Sequence, residues 1–380
     1  MTSWRKPTGL VMSGLCLNLA GPAAAIEFDV SGDVRTGFFS LHRNDRNGRT
    51  DTTDEFRLRL RPGVGVKLSE QWQAKIRFAG RYSTDDRNRN HFEIFSRIPA
   101  DEGLRLGDST LDEIYLEHQP VAAWRVRVGR FQSKAELAGV AKKSLDRNDS
   151  PNTEITWTDG VQLSHKAANG WTTTLIAQYN NSKGPTQVRR GPLNFREDGS
   201  RVSYFASVEN TQPSGPFVQR ALDATWLPEA LHSRGVGAGT VESYWGLVGR
   251  LAAQWPVTGS MKFMLAGELG YAPNTPLRSV TRTGTSGDAD GLAAQISFNF
   301  IDIVPRHGVG LVLGRAGDGW LLSPDFSDNS NLAEVRYQWA IDKKQTFEAR
   351  LRHREDIDQR IGSVEKREDV DYYLRYTYKF

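Results

Sequence analysis

Arginines occupy alternate positions in two neighbouring stretches of this sequence. Arg57, Arg59 and Arg61 stand at every second position of the first stretch, and Arg77 and Arg81 share one face of the second. A guanidinium keeps its charge at neutral pH, and its planar N–H groups can bind both oxygens of a carboxylate or phosphate. The spacing predicts a basic surface that attracts anions, with ordinary salt bridges to neighbouring acids as the simpler interpretation.

The residues between these arginines are apolar, which indicates how the chain must position them. From Phe56 to Tyr82, apolar side chains fall on one face of a period of two, interrupted by a turn at 69–71. A β-strand sorts side chains in this way and a helix does not. The pattern recurs along the chain and predicts about 16 strands of about 10 residues, a length that crosses an outer membrane when tilted.

The predicted connections alternate between short and long. The short ones lie near 69–71, 119–123, 168–170, 258–260, 303–307 and 342–344. The long, polar ones lie near 42–53, 83–110, 131–154, 180–200, 273–289 and 355–368. Such alternation is typical of the periplasmic turns and extracellular loops of a membrane barrel.

Composition favours a membrane barrel over a soluble β-sandwich, whose strands would also alternate. Only 38% of the 380 residues are hydrophobic and the mean hydropathy is −0.52, yet 10% are aromatic. A water-filled barrel explains this because only every second residue must face lipid. Tryptophans stand beside the short turns, where an interfacial girdle would lie: Trp72, Trp124, Trp171, Trp255 and Trp339. We therefore predict an all-β, transmembrane, antiparallel up-and-down β-barrel.

The charged face of each strand should then line the interior, since an arginine on the lipid face costs about 2–4 kcal/mol near the midplane. Besides the five arginines above, the predicted pore-lining residues are Glu113, Glu117, Arg125, Arg127, Glu348, Arg350, Arg352, Asp371 and Arg375. Antiparallel register predicts Arg59 opposite Arg81, a destabilising pair that needs a compensating acid or a function. It also predicts Glu117 across from Arg125, Arg352 near Asp371, and Glu348 near Arg375. Closure of the last strand onto the first would join most of this charge into one wall, while the inward residues of the later strands are mainly small or uncharged.

The N-terminus has the pattern of a secretory signal peptide. Arg5 and Lys6 precede a mostly apolar stretch, and small residues at 23–25 offer a cleavage site. We expect residues 1–25 to be cleaved and 26–380 to form a single barrel domain. Cleavage would remove Cys16, the only cysteine, and with it disulfide and thiolate chemistry.

Several function classes receive no support from the mature chain. Cleavage would remove two of the 49 Lys+Arg residues and none of the 45 Asp+Glu residues, so the mature chain would have a net charge of 47 − 45 = +2. A charge this close to balance does not favour nucleic-acid binding. The seven histidines stand in no recognisable nucleophile motif. We predict no catalytic, metal or cofactor site.

The last strand and one internal hairpin carry a family resemblance. The ending at 372–380 (YYLRYTYKF) sets Tyr376, Tyr378 and Phe380 at alternate positions and resembles the C-terminal assembly signal of bacterial outer-membrane proteins. Residues 112–116 (DEIYL) followed by 125–130 (RVRVGR) resemble a hairpin of the Gram-negative porin superfamily. This hairpin is similar to that of the alginate-export, OprD-like and phosphate-selective porins, and its motifs do not distinguish between these subfamilies.

The resemblance implies a porin in the outer membrane of a Gram-negative bacterium that lets small hydrophilic solutes diffuse passively. With the arginine face, it suggests a preference for anions. The implied partners are outer-membrane lipid and lipopolysaccharide, the barrel-insertion machinery and small anionic or polar solutes, with either a homotrimer or a monomer as the assembly. A barrel serving as a sheath or scaffold for a partner protein, or an outer-membrane hydrolase, remains an alternative.

The third long loop, 131–154, is a candidate pore constriction. Residues 133–145 (SKAELAGVAKKSL) have a helix-like composition with mixed charge. In the general porins that the chain resembles, the third loop folds inward, and Glu136, Asp146 and Asp149 could then face the arginine wall. A loop lying over the extracellular mouth is the alternative, and the sequence leaves both open.

Overall fold

A computed structural model describes residues 27–84, 91–92, 108–149, 155–180, 201–235, 238, 241–323 and 325–380. The predicted signal peptide lies outside these residues, so its cleavage stays a prediction. Among the described residues, no helix is both long and apolar enough to cross a membrane.

The described chain is almost entirely β-structure. The strands are β1 (Glu27–Asn44), β2 (Thr50–Lys67), β3 (Trp72–Ser83), β4 (His91–Phe92), β5 (Asp108–Val121), β6 (Trp124–Phe131), β7 (Thr158–Lys166), β8 (Trp171–Asn180), β9 (Arg201–Asn210), β10 (Phe217–Leu231), β11 (Glu242–Thr258), β12 (Met261–Tyr271), β13 (Leu292–Ile301), β14 (His307–Ala316), β15 (Ser330–Ala340), β16 (Gln345–Asp356) and β17 (Glu368–Lys379). One short helix, α1 (Arg278–Thr281), lies between β12 and β13.

Sixteen of these strands form a closed antiparallel barrel, as the alternation predicts. Each pairs with its neighbours in sequence, and β17 pairs with β1 to complete the ring. The two-residue β4 pairs in parallel with β5 and adds no wall strand. Closure leaves no sheet edge unpaired, which a lipid environment requires.

The connections follow the predicted alternation, with one exception among those described. The region 42–53 was predicted to be a long loop, but β1 runs to Asn44 and β2 begins at Thr50. Only residues 45–49 connect them. The threonines at 50, 52 and 53 extend the strand because their branched side chains suit a pleated sheet.

The two faces of the wall differ as the alternation predicts. Phe56, Ile76, Leu269 and Leu351 are exposed on the outer face, while the charged residues between them are covered on the inner face. At the end with the short turns, histidines pack against the predicted girdle tryptophans. The ring centroids of Trp72 and His118 lie 4.1 Å apart, those of Trp124 and His165 lie 4.3 Å apart, and those of His307 and Trp339 lie 5.4 Å apart.

An apolar cluster fills part of the interior. Leu145 from the loop after β6 packs with Trp320 and Phe326 from the loop after β14, and with inward side chains of the strands around them. Glycines in the wall make room for these loops: a Cβ on Gly310 would lie 3.0 Å from Val140 Cβ, and one on Gly270 would lie 2.8 Å from the Trp320 ring. The interior is therefore narrowed from one side.

Candidate pore constriction

The described part of the segment after β6, residues 132–149, crosses the barrel interior; we call it the inner loop. The backbone N–H of Val140 donates to Asn299 on β13 at 2.8 Å, and that of Leu145 donates to Glu268 on β12 at 3.1 Å. Trp320 Nε1 donates to the Leu145 carbonyl at 2.9 Å. These contacts on the far wall place the loop inside the barrel, and it does not lie over the mouth.

The inner loop is irregular, so the helix suggested by the composition of 133–145 does not form. Its backbone polar groups bond to the barrel wall and to the loop itself. Ala135 N–H donates to the Arg147 carbonyl at 2.9 Å, and Leu137 N–H donates to the Lys143 carbonyl at 2.8 Å. Tertiary contacts thus override a weak local preference for helix.

A buried ion pair fixes the tip of the inner loop. Lys143 Nζ lies 2.8 Å from Glu334 Oε2 on β15, and both side chains are almost fully covered. Burial lowers the pKa of Lys143 to about 8, although the Glu334 carboxylate opposes that shift. Arg336 Nη1 adds a hydrogen bond of 2.9 Å to the Ala141 carbonyl.

The three acids predicted for the constriction have different surroundings. Glu136 lines the cavity beside the loop and pairs with Lys134 at 2.9 Å. Asp146 accepts a hydrogen bond from Thr225 on β10 at 2.5 Å, and Asp149 accepts one from the Ser133 backbone at 2.9 Å. Asp146 and Asp149 therefore anchor the loop, and of the three only Glu136 borders the cavity.

The first two strands carry three of the predicted pore-lining arginines, all buried. Arg59 and Arg61 both bond to Asp33 on β1, at 3.1 and 2.7 Å. Arg57 pairs with Glu55 at 2.6 Å. Arg59 stands opposite the buried Arg81, as the register predicts. Asp33 compensates the Arg59 member of this pair, a role that was not predicted from the sequence.

The last strands carry the second part of the basic wall. Glu348 is the register partner of Arg375, whose Nε lies 3.0 Å from the carboxylate. Arg352 is the partner of Asp371 at 2.6 Å, and Arg350 pairs with the same acid. Both predicted pairings agree with the register. Because β17 pairs with β1, these strands continue the wall that holds Arg59 and Arg61.

The third group of predicted residues lies on β3, β5 and β6. Arg77 binds both oxygens of Asp112, and Glu113 pairs with Lys75 at 3.0 Å. Glu117 faces Arg127 in the register and contacts it at 2.6 Å, so the predicted alignment with Arg125 is wrong. A bulge between His118 and Val121 shifts the hairpin. Arg125 still reaches Glu117 at 3.3 Å from a half-exposed position.

A cavity of about 240 Å³ lies between the inner loop and the basic wall. Eight cationic residues line it: Arg35, Arg61, Arg336, Arg350, Arg375, Lys134, Lys142 and Lys379. Four acids line it as well: Asp33, Glu136, Asp325 and Glu348. The formal charge of the lining is 8 − 4 = +4, so the cavity is basic.

The prediction that the inward residues of the later strands are mainly small or uncharged left out several buried charges. Buried charged residues that it passed over are Asp223, Arg250, Glu268, Glu334 and Arg336, together with Asp33 on β1. Arg250 pairs with Asp223 at 2.9 Å, and Glu334 holds Lys143. Each occupies an inward position of its strand, so the period of two was sufficient to find them.

The predicted assembly signal lies at the seam of the barrel. Tyr376, Tyr378 and Phe380 are partly exposed along the outer face of β17 and its end. The backbone N–H of Phe380 donates to the Gly32 carbonyl at 3.2 Å, and the Gly32 N–H donates back at 3.1 Å. The chain end thus takes part in closing the ring, while recognition by the insertion machinery stays a prediction.

A closed sixteen-stranded barrel with an inward loop has the architecture of the outer-membrane porins, and solved structures agree. OprB from Pseudomonas putida matches with a TM-score of 0.61 at 10% identity, over 93% of this chain and 94% of that chain. The outer membrane channel DcaP of Acinetobacter baumannii matches with a TM-score of 0.56 at 13% identity, over 94% and 99%. OccK8 (OprE) of Pseudomonas aeruginosa matches with a TM-score of 0.54 at 10% identity, over 93% and 98%.

The predicted resemblance to porin-type barrels is confirmed at the level of the fold. At these identities the likeness concerns architecture and gives no information on solutes. No protein-family model matches the sequence, and no curated protein matches it.

Proposed function

We propose that this chain is a porin in the outer membrane of a Gram-negative bacterium, through which small hydrophilic solutes diffuse passively with a preference for anions. The observation that carries the proposal is the basic cavity between the inner loop and the wall of β1, β2, β15, β16 and β17. A narrow, charged passage attracts solutes of opposite sign and repels those of like sign.

The charges at this passage are held in position by ion pairs. Arg61 shares Asp33 with Arg59, and Arg375 pairs with Glu348, so the arginines cannot move away from the passage without losing a buried partner. Arginine also retains its charge in a confined site. The excess of cations over acids therefore persists across the physiological pH range.

The proposal includes the surroundings of the barrel. The exposed apolar outer face suits contact with lipid and lipopolysaccharide, and the C-terminal strand suits recognition by the barrel-insertion machinery. Light scattering in detergent distinguishes assembly as a homotrimer from a monomer.

Reversal potential in a KCl gradient across a planar bilayer tests the proposal. The wild-type protein should form open, ohmic channels that favour chloride over potassium. Lys142→Glu should lower this preference, because Lys142 lines the cavity from an exposed position on the inner loop. Lys343→Glu makes the same charge change in the exposed turn after β15 and should leave the preference unchanged.

Three outcomes would contradict the proposal. Equal permeability to both ions in the wild type would remove the anion preference. Complete absence of conductance would favour a sheath or scaffold for a partner protein, and lipase or protease activity of the purified barrel would favour a hydrolase.

A further inference from the structure

Three arginines surround one tyrosine ring in the wall of the cavity, and we call this group the tyrosine cage. Tyr373 on β17 is fully buried, and the guanidinium carbons of Arg350, Arg375 and Arg336 lie 4.3, 4.7 and 5.9 Å from its ring centroid. The Phe39 ring on β1 supports it at 5.3 Å. The face of an aromatic ring attracts cations, so Tyr373 gathers three like charges at one point.

Three hydrogen-bond donors of the tyrosine cage have no partner among the described residues. They are the Tyr373 hydroxyl, Arg336 Nε and Arg350 Nε, all buried. Buried polar groups are almost always hydrogen-bonded. An arginine Nε can only donate, and a tyrosine hydroxyl can do so. A partner common to all three must therefore be an acceptor.

The excess of positive charge around the tyrosine cage also favours an anion as the bound partner. Five cations meet three carboxylates through ion pairs within this region: Lys143, Arg336, Arg350, Arg352 and Arg375 against Glu334, Glu348 and Asp371. The formal excess is 5 − 3 = 2 positive charges. Because these side chains are mostly covered, solvent screens that excess only weakly.

We propose that the tyrosine cage binds one small anion that presents a single acceptor atom, such as chloride, as it passes the constriction. Arg336 stands opposite Arg350, and Arg350 stands opposite Tyr373, so the three donors come from neighbouring register positions of β15, β16 and β17. Arg336, Arg350 and Arg375 also line the cavity, which gives the anion a route to the cage. The inference rests on the proposed anion passage.

Channel conductance measured against KCl concentration tests the tyrosine cage. The wild-type conductance should saturate as the site fills. Tyr373→Phe keeps the ring and removes only the hydroxyl, so the half-saturating chloride concentration should rise by about ten- to a hundredfold, the effect of losing one hydrogen bond to a charged partner. Tyr372→Phe makes the same change at the adjacent, half-exposed position on the outer face and should match the wild type.

Either of two conductance results would overturn the tyrosine cage while leaving the porin proposal intact. One is identical saturation in Tyr373→Phe and the wild type; the other is wild-type conductance that stays proportional to chloride activity. Anomalous diffraction from bromide beside Tyr373 provides a readout independent of conductance, and its absence would also overturn the site. Heat-modifiable mobility on a gel shows that each variant is folded.

Discussion

At the scale of the residue, one acid holds a large part of the basic wall together. Asp33 bonds to Arg59 and Arg61, and Arg59 stands opposite Arg81 across the β2–β3 hairpin. All four side chains are buried. Without Asp33, like charges would lie close together in a region of low dielectric, where they repel strongly.

Asp33→Asn should therefore destabilise the folded barrel by about 3–5 kcal/mol, the usual cost of leaving a buried charge without its partner. Urea unfolding in lipid vesicles measures the difference in the free energy of unfolding. Asp29→Asn is the matched control, because Asp29 lies on the same strand at an exposed position. Equal losses in the two variants would show that Asp33 has no special role.

At the scale of the element, the inner loop depends on contacts with strands far away in sequence. Its tip bonds to β12, β13 and β15 through Leu145, Val140 and Lys143. It also packs into the apolar cluster around Trp320. A segment without regular secondary structure keeps one position here because many anchors act together.

The ion pair between Lys143 and Glu334 should make this anchoring depend on pH. The pKa of Lys143 is lowered from 10.5 to about 8, so the folded protein releases this proton at a lower pH than an unfolded chain would. Burial of the charged amine therefore disfavours the anchored loop at lower pH, and this cost is relieved as Lys143 loses its proton above about pH 8, so the loop should then be held more firmly. Single-channel recordings between pH 6 and about 10 should show current noise that falls in a step near the lowered pKa.

Lys143→Met separates this effect from other titrations. The variant lacks the titrating group, so its current noise should show no step near pH 8. Lys142→Met is the neighbouring control, since Lys142 is exposed and should leave the step in place. A step of unchanged size in Lys143→Met would assign it to another group.

At the scale of the whole molecule, closure of the ring and the uneven filling of the interior determine what the barrel can do. Apolar side chains and two loops occupy the side of β10 to β15, and ion pairs line the side of β1, β2, β16 and β17. The cavity that we propose as the passage lies on the charged side. A barrel of this size without such filling would leave a wider channel.

The seam between β1, β2 and the chain end should be sensitive to added volume. A Cβ on Gly32 would lie 2.3 Å from the Arg61 carbonyl oxygen and 2.7 Å from the Phe380 ring. Gly32→Ala should destabilise the closed barrel by about 1–3 kcal/mol through overpacking. Gly249→Ala is the control, since a Cβ there meets nothing within 4 Å. Heat-modifiable mobility on a gel and the midpoint of urea unfolding measure the stability of both variants. Equal stability of Gly32→Ala and Gly249→Ala would contradict a tightly packed seam.

The sequence by itself determined the strands, the two faces of the wall and the closure of the ring. A period of two assigns each side chain to lipid or interior, and register follows from short turns, as for Arg59 with Arg81 and Glu348 with Arg375. Where a bulge intervenes, as before Val121, the register shifts and Glu117 meets Arg127. The tertiary structure alone decided the path of the inner loop and its contacts with Glu268, Asn299 and Glu334. Those contacts join residues far apart in the chain, and no local pattern encodes which distant side chain a loop will meet.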